Sequence, residues 1–371
     1  MYKGSASELK AVINATHQIK QPLFISGPPG VGKSMIVKED AKERAKLENL
    51  EFIDWNASTE EQKNDMFATP EKYYVFIDQR LSQFDVTDLR GIPQIMSETK
   101  WLISKPYAWA VYITQPNATG TVFFDEINLA SPIVAGSAYQ IINDRVVADT
   151  KLSDNIYIVS AGNRAEDQAH TFDMPLPLRD RFCEFELLVN SDEWCKWAMK
   201  NKVNHHLINL IKWKGALLYN VSTQSADKAT TPRGVVRTSN LLTTVKDVMS
   251  NETYRLTSIS CGEGFAAEFQ AYVKYFQDMN WDHIYNEPSV VKSFDVSKTY
   301  ALIGGLVEHF QKNTHEPEEI IEVIANLKPD FSIYVLRIIS DYDNKRFQTK
   351  FVKNNTFRKY AKENEWATFL A

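Results

Sequence analysis

The chain has 371 residues, 44% apolar and 24% charged, with a net charge of −5. This is the balance of ordinary globular protein, with length enough for two domains and a large core. It argues against a polyanion-wrapping surface, since no block of like charge occurs, and the apolar runs are far too short to span a bilayer.

In chain order, Ser5-Ala6-Ser7-Glu8 reads as a capping box opening a helix, with Leu9, Val12 and Ile13 as its apolar stripe. Residues 22–26 form a short buried strand that runs into a Gly/Pro-rich loop, and 35–46 is the helix after it. Residues 51–55 and 73–77 read as further strands, and 120–124 as a strand ending in two acids. A helix over 132–143 leads through a hairpin turn at 144–147 to strands at 156–160 and 182–188. Strands alternating with helices predict an α/β fold, a three-layer αβα unit on a parallel sheet. Beyond Ser191 strand signals fade and helical periodicity takes over, from Trp194 and Trp197 through 299–311, 317–327 and 331–342. Residues 222–231 read as a polar loop. In the stretch 101–113, the aromatic residues Trp101, Tyr107 and Trp109 are expected as hairpin or core packing, with base stacking or peptide gripping as the alternative.

Gly27-Pro28-Pro29-Gly30-Val31-Gly32-Lys33-Ser34 fits G-x-x-x-x-G-K-S/T between an apolar strand and a helix. The glycines let the backbone curl so that successive N–H groups point at one anion, and the helix from Met35 adds its positive dipole end. This predicts a nucleotide site for ATP with Mg²⁺: Lys33 reaches the β- and γ-phosphates and Ser34 ligates the metal. A parallel strand beside this loop would bring Asp125 to the same Mg²⁺. Glu126, one residue on, would face the γ-phosphate and orient or deprotonate water. The second acid implies hydrolysis rather than binding alone.

Asn163, after the strand at 156–160, is a candidate to place the attacking water, or simply a turn residue. Arg179 and Arg181 flank Asp180, either as a surface ion pair or as a source of positive charge for a neighbour's γ-phosphate. Arg233 follows Pro232 at a helix start and is placed to fold over the nucleotide; Arg237, one turn on, competes for that role. His205-His206 reads as a surface pair rather than a ligand pair. Cys183, Cys195 and Cys261 are odd in number and far apart, which predicts reduced thiols. With no apolar leader-like segment at the N-terminus, the expected location is cytoplasmic.

The order of loop, acidic pair, polar Asn, arginine pair and Pro-Arg resembles the AAA+ ATPases, and within them the MoxR-type group, over about residues 5–245. Phe124-Asp125-Glu126-Ile127-Asn128 with Ala130 and Pro132 resembles that group's Walker B segment. Arg145-Val146-Val147 is similar to its hairpin, and Ala161-Gly162-Asn163-Arg164 to its sensor 1 turn. The segment from Leu176 to Phe182 resembles the one bearing the arginine finger, with Arg181 favoured over Arg179. Thr231-Pro232-Arg233 resembles the sensor 2 helix start. Asn56 is placed like the switch residue that restrains the Walker B glutamate, and Asp88-Leu89-Arg90-Gly91 is similar to the segment before the helix 2 insertion. The resemblance implies an αβα nucleotide-binding domain over 1–190, a helical lid over 191–255 and a helical C-terminal extension over 256–371. It also implies a ring, usually of six subunits, that remodels or assembles a protein partner, often with a von Willebrand A domain protein. Alternative readings are a DNA-acting motor or loader, which the net charge disfavours, and a nucleotide-dependent scaffold with little turnover.

Overall fold

The structure, a computed structural model, describes every residue except 97–101, 165–171, 173–175, 221–228, 246, 247, 249, 365, 367, 368, 370 and 371. Trp101 and most of the polar loop at 222–231 lie outside the described residues. The chain divides into two compact units, Met1–Leu188 and Val189–Ala371.

In the first unit, β1 (Tyr2–Gly4) precedes α1 (Ala6–Gln18), where Glu8 accepts from the Ser5 N–H at 2.8 Å to close the helix start. There follow β2 (Leu23–Ser26), α2 (Lys33–Leu47), β3 (Glu51–Asp54), α3 (Glu60–Ala68) and β4 (Tyr73–Arg80). Next come α4 (Val86–Arg90), the antiparallel pair β5 (Ile92–Ile95) and β6 (Leu102–Lys105), α5 (Ala108–Ile113), β7 (Thr119–Asp125) and α6 (Pro132–Asp144). A two-residue hairpin, β8 (Val146–Val147) and β9 (Thr150–Lys151), leads to β10 (Ile156–Gly162), α7 (Leu176–Arg179) and β11 (Cys183–Leu187). Among the described residues, seven strands form one sheet in the order β1-β11-β2-β10-β7-β4-β3, and every pairing is parallel.

Period-two alternation splits this core into two layers. Tyr74, Phe76, Phe123, Tyr157 and Val159 face α1 and α2, where Leu9, Ile13, Val37 and Ala41 meet them. Val75, Ile77, Val122, Phe124, Ile156 and Ile158 face the other way, onto Trp109, Tyr112, Val134, Ile141 and Ile142 of α5 and α6. Trp109 packs edge-on to Phe124 at 6.3 Å, so it serves the core as expected, whereas Tyr107 is exposed. The first layer also buries polar groups in pairs: Thr16 with the Tyr157 hydroxyl at 2.6 Å, the Tyr74 hydroxyl with Thr121 at 2.8 Å, and Arg44 with Asp40 at 2.6 Å. Pairing offsets the cost of burying them.

The second unit is helical. It runs through α8 (Ser191–Lys200), α9 (His205–Trp213), α10 (Pro232–Leu242), α11 (Asn251–Cys261), α12 (Glu263–Gln277), α13 (Trp281–Asn286) and α14 (Val296–Lys312). It continues with α15 (Pro317–Ala325), α16 (Pro329–Tyr342), α17 (Asn344–Phe347) and α18 (Asn355–Glu363). One core joins them, with Leu207, Val235, Phe269, Leu302, Ile321, Leu336, Phe351 and Trp366 among its members. Residues before and after position 255 share that core. Cys195 and Cys261 are buried thiols, and Cys183 is exposed.

The structure corrects the surface placement of His206, which is 2% exposed. Helix α9 buries His206, Leu207, Ile208, Asn209, Leu210 and Ile211 in succession. A helix buried nearly all round takes its polar residues inside with it. No described helix is long and apolar enough to cross a membrane.

Candidate nucleotide site

Strand register decides which residues meet. Ser160 of β10 is level with Phe124 of β7, and Gly162 is level with Ser26 of β2. The residues that end or follow these three strands, Gly27, Asp125, Glu126 and Asn163, therefore emerge together at the C-terminal edge of the sheet. Such an edge is where open parallel sheets place ligands.

The loop after β2 turns through Gly30 (φ 76°) and Gly32 (φ 100°), left-handed conformations that glycine adopts without a Cβ penalty. Gly32 caps α2, so the helix begins at Lys33, two residues before its expected start. Lys33 Nζ donates to the carbonyls of Gly27 (2.6 Å) and Pro28 (3.1 Å) and to Asn163 Oδ1 (3.3 Å). Ser34 Oγ donates to Asp125 Oδ2 at 3.4 Å. Adjacent oxygens on an octahedral Mg²⁺ stand about 3 Å apart, so this pair fits the ion. Burial raises the Asp125 carboxyl above its ordinary value, opposed by the Glu126 N–H and the Lys33 charge.

Glu126 has φ 57°, unusual outside glycine. Its N–H bonds Asp125 Oδ1 at 2.9 Å and its carbonyl takes the Leu129 N–H at 2.9 Å. The tight turn separates the two acids: Asp125 meets Ser34, while the Glu126 carboxylate takes a short hydrogen bond from Ser82. Asn56, read from resemblance as the partner of that glutamate, donates instead to the Asp78 carbonyl at 2.6 Å.

Three residues here were given no role from the sequence, although Asn128 belongs to the segment that resembles Walker B. Ser82 follows β4, which runs three residues beyond its expected end at Ile77. Asn128 clamps the ends of β7 and β10 together: its Nδ2 donates to the Asn163 carbonyl (2.7 Å) and its Oδ1 accepts from the Asn163 N–H (3.1 Å). A Cβ on Gly162 would lie 2.5 Å from Asn128 Oδ1, so the glycine makes room for that clamp. Asp78, at the end of β4, has its Oδ1 buried with no hydrogen-bond partner among the described residues. Burial first, then the Asp125 charge, push the Asp78 carboxyl up to about 6. An acid at a strand end was the available signal for Asp78.

The sequence model of the family described as "ATPase family associated with various cellular activities (AAA)" matches residues 23–188. Over that segment, less than half of the chain, the sequence is similar to an AAA ATPase domain. The segment holds the loop at 27–34, Asp125, Glu126, Asn163, Arg179 and Arg181; the helical unit lies outside the match. No curated protein matches the chain. Among solved structures, a protein of Cytophaga hutchinsonii provisionally described as an ATPase is 11% identical, with 92% of this chain and 76% of that chain covered at a TM-score of 0.34. NtrX from Brucella abortus, in complex with ADP, is 12% identical over 84% of this chain and 65% of its own, at 0.36. A RuvB variant from Thermotoga maritima is 12% identical over 94% and 88%, at 0.32. Likeness at these scores carries no weight for the function of this chain.

Within the matched segment the two arginines differ. Arg179 forks onto Glu184, Nε to Oε1 at 2.8 Å and Nη2 to Oε2 at 3.0 Å. Arg181 is exposed and hydrogen-bonds the Tyr139 hydroxyl, which raises its pKa further. Met35 is half exposed on α2. Arg233 stands exposed in the first turn of α10, after the Thr231 N-cap and Pro232, and Arg237 is exposed one turn on.

Proposed function

We propose that the chain is one subunit of a MoxR-type AAA+ ring, a hexamer, that couples ATP hydrolysis to remodelling or assembly of a protein partner, with a von Willebrand A domain protein as its adaptor. The observation that carries this reading is the contrast between the arginines. Both side chains are exposed, but a bidentate carboxylate neutralises Arg179, whereas Arg181 donates to the neutral Tyr139 hydroxyl and keeps its charge for a neighbouring subunit's site.

In this reading the N–H groups from Gly27 to Met35 cradle the phosphates, with Pro28, Pro29 and Val31 shaping the loop. Lys33 leaves the Gly27 and Pro28 carbonyls for the β- and γ-oxygens. Ser34 and Asp125 hold Mg²⁺, which neutralises phosphate charge when bound. Glu126 leaves Ser82 and takes a proton from the attacking water, and Asn163 orients that water. Arg181 of the adjacent subunit stabilises the charge that develops on the transferred group, and Arg233 serves as the sensor 2 cation.

Mixing tests the shared site. Lys33→Ala and Arg181→Ala subunits should each be inactive alone, with Arg181→Ala reduced on the order of 10³-fold. Mixed together they should regain turnover, because one supplies the finger and the other an intact loop. Turnover per subunit that does not fall on dilution, with no recovery in the mixture, would sink the ring reading. Capture of a protein by the Glu126→Gln subunit with ATP tests remodelling, and salt-sensitive single-stranded DNA binding in its place would overturn it.

A further inference from the structure

The helical unit brings together two histidines and a glutamate with no part in the nucleotide site. His205 and His206 open α9 after the Asn204 N-cap, and Glu308 lies on α14. One donor atom from each of the three lies within 4.8 Å of the other two. His206 Nε2 is 3.3 Å from Glu308 Oε2. Ligands bound at about 2.0–2.1 Å to a tetrahedral ion stand about 3.3 Å apart, so this edge already has the length that zinc requires.

Three further observations shape the cluster. A Cβ on Gly304 would lie 2.9 Å from His206 Nδ1, so that nitrogen is pressed to the backbone of α14 while Nε2 turns to Glu308. Lys312 pairs with Glu308 Oε1, which steadies the carboxylate and leaves Oε2 for a second partner. The imidazoles of His205 and His206 lie 4.2 Å apart between centroids, yet His205 Nε2 and His206 Nδ1 are buried without hydrogen-bond partners among the described residues. A His–Glu hydrogen bond alone accounts for one ring and leaves the other idle. A cation has use for a nitrogen lone pair from each.

We propose that His205, His206 and Glu308 form a site for Zn²⁺ or a similar borderline divalent ion, completed by water, that ties the start of α9 to α14. The donor set is the two-imidazole, one-carboxylate set that suits zinc. The nearby Lys312 ammonium weakens the site without removing a ligand.

The test uses the full chain stripped of metal by a chelator and titrated with Co²⁺ alone, then with competing Zn²⁺. Visible absorption reports coordination geometry and elemental analysis reports stoichiometry. The wild type should bind one equivalent with the absorption of a tetrahedral ion, and its melting temperature should rise. Glu308→Gln keeps the shape of the side chain and should weaken affinity by at least about tenfold; His205→Ala should do the same. Circular dichroism checks that the helices persist. Asp125→Asn should leave the tetrahedral signal in place, which separates it from metal at the nucleotide site. No stoichiometric binding by the wild type, or equal affinity in Glu308→Gln, overturns the proposal.

Discussion

The α/β unit and the helical unit keep their cores differently. The first divides its core into two layers, because strand residues alternate between faces, and the parallel register then delivers loop residues to one edge. The second gathers its helices around one continuous core rich in large rings, such as Phe347, Phe351, Phe357 and Trp366. A sheet therefore concentrates chemistry where its strands end. A helical core has no such edge, and its polar residues meet wherever helix faces cross, as His206 and Glu308 do.

The comparison predicts where substitutions hurt function and where they hurt stability. The largest effect belongs to the sheet edge. Lys33→Ala should cut ATP turnover on the order of 10²–10³-fold with little change in unfolding midpoint, measured by phosphate release and denaturant titration. A large loss of stability would show that Lys33 holds the loop together rather than the phosphates.

Trp366 should behave in the opposite way. It is fully buried, and its indole N–H donates to Ser332 Oγ at 3.0 Å. Trp366→Ala should cost about 3–5 kcal/mol of the helical unit's stability in urea. A cost under about 1 kcal/mol would break the picture of a single continuous core.

Asn128 joins stability to function. Asn128→Ala removes both bonds to the Asn163 backbone and should cost about 1–3 kcal/mol. Turnover should fall with nucleotide affinity nearly unchanged, since Asn163 would then move relative to Glu126. Unchanged turnover would remove the clamp from the mechanism.

Ser82 and Asn56 separate the contact seen here from the one that resemblance suggests. Ser82→Ala frees the Glu126 carboxylate and should raise basal turnover severalfold, less than about tenfold. Asn56→Ala should leave it unchanged. The reverse pattern would restore Asn56 as the restraint.

The smallest effect is a pH slope. Burial first, then the Lys20 and Arg44 charges, push His17 down to about 3. Unfolded His17 gains its proton near 6.5 while the folded ring stays neutral, so the unfolded state binds more protons between these values. This contribution is complete above about pH 6.5 and is lost as pH falls toward 3. His17→Gln should flatten the dependence by at most about one proton, read from urea midpoints across that range. An unaltered slope would assign the acid sensitivity to other groups.

Much of the α/β unit was legible because its signals are local. A loop that must curl around phosphate needs glycines at set spacings, and buried parallel strands need short apolar runs, so Gly27 to Ser34 and residues 120–126 stand out in sequence. Strand β1 was not legible: Tyr2–Gly4 is no apolar run and becomes a strand through pairing with β11. Asn56 looked placed for Glu126 because both sit near strand ends, but a left-handed turn at Glu126 sends its carboxylate to Ser82.

By itself, then, the sequence determined the alternation of strand and helix, the glycine-rich loop at 27–34 and the two acids after β7's apolar run, since each depends on neighbours within a few residues. Only the tertiary structure decided that Asn128 grips Asn163, that Arg179 forks onto Glu184 while Arg181 turns to Tyr139, and that His206 is buried against Gly304 within reach of Glu308. Those pairings join residues from five to more than a hundred positions apart. No local pattern encodes such contacts; strand register and helix packing do.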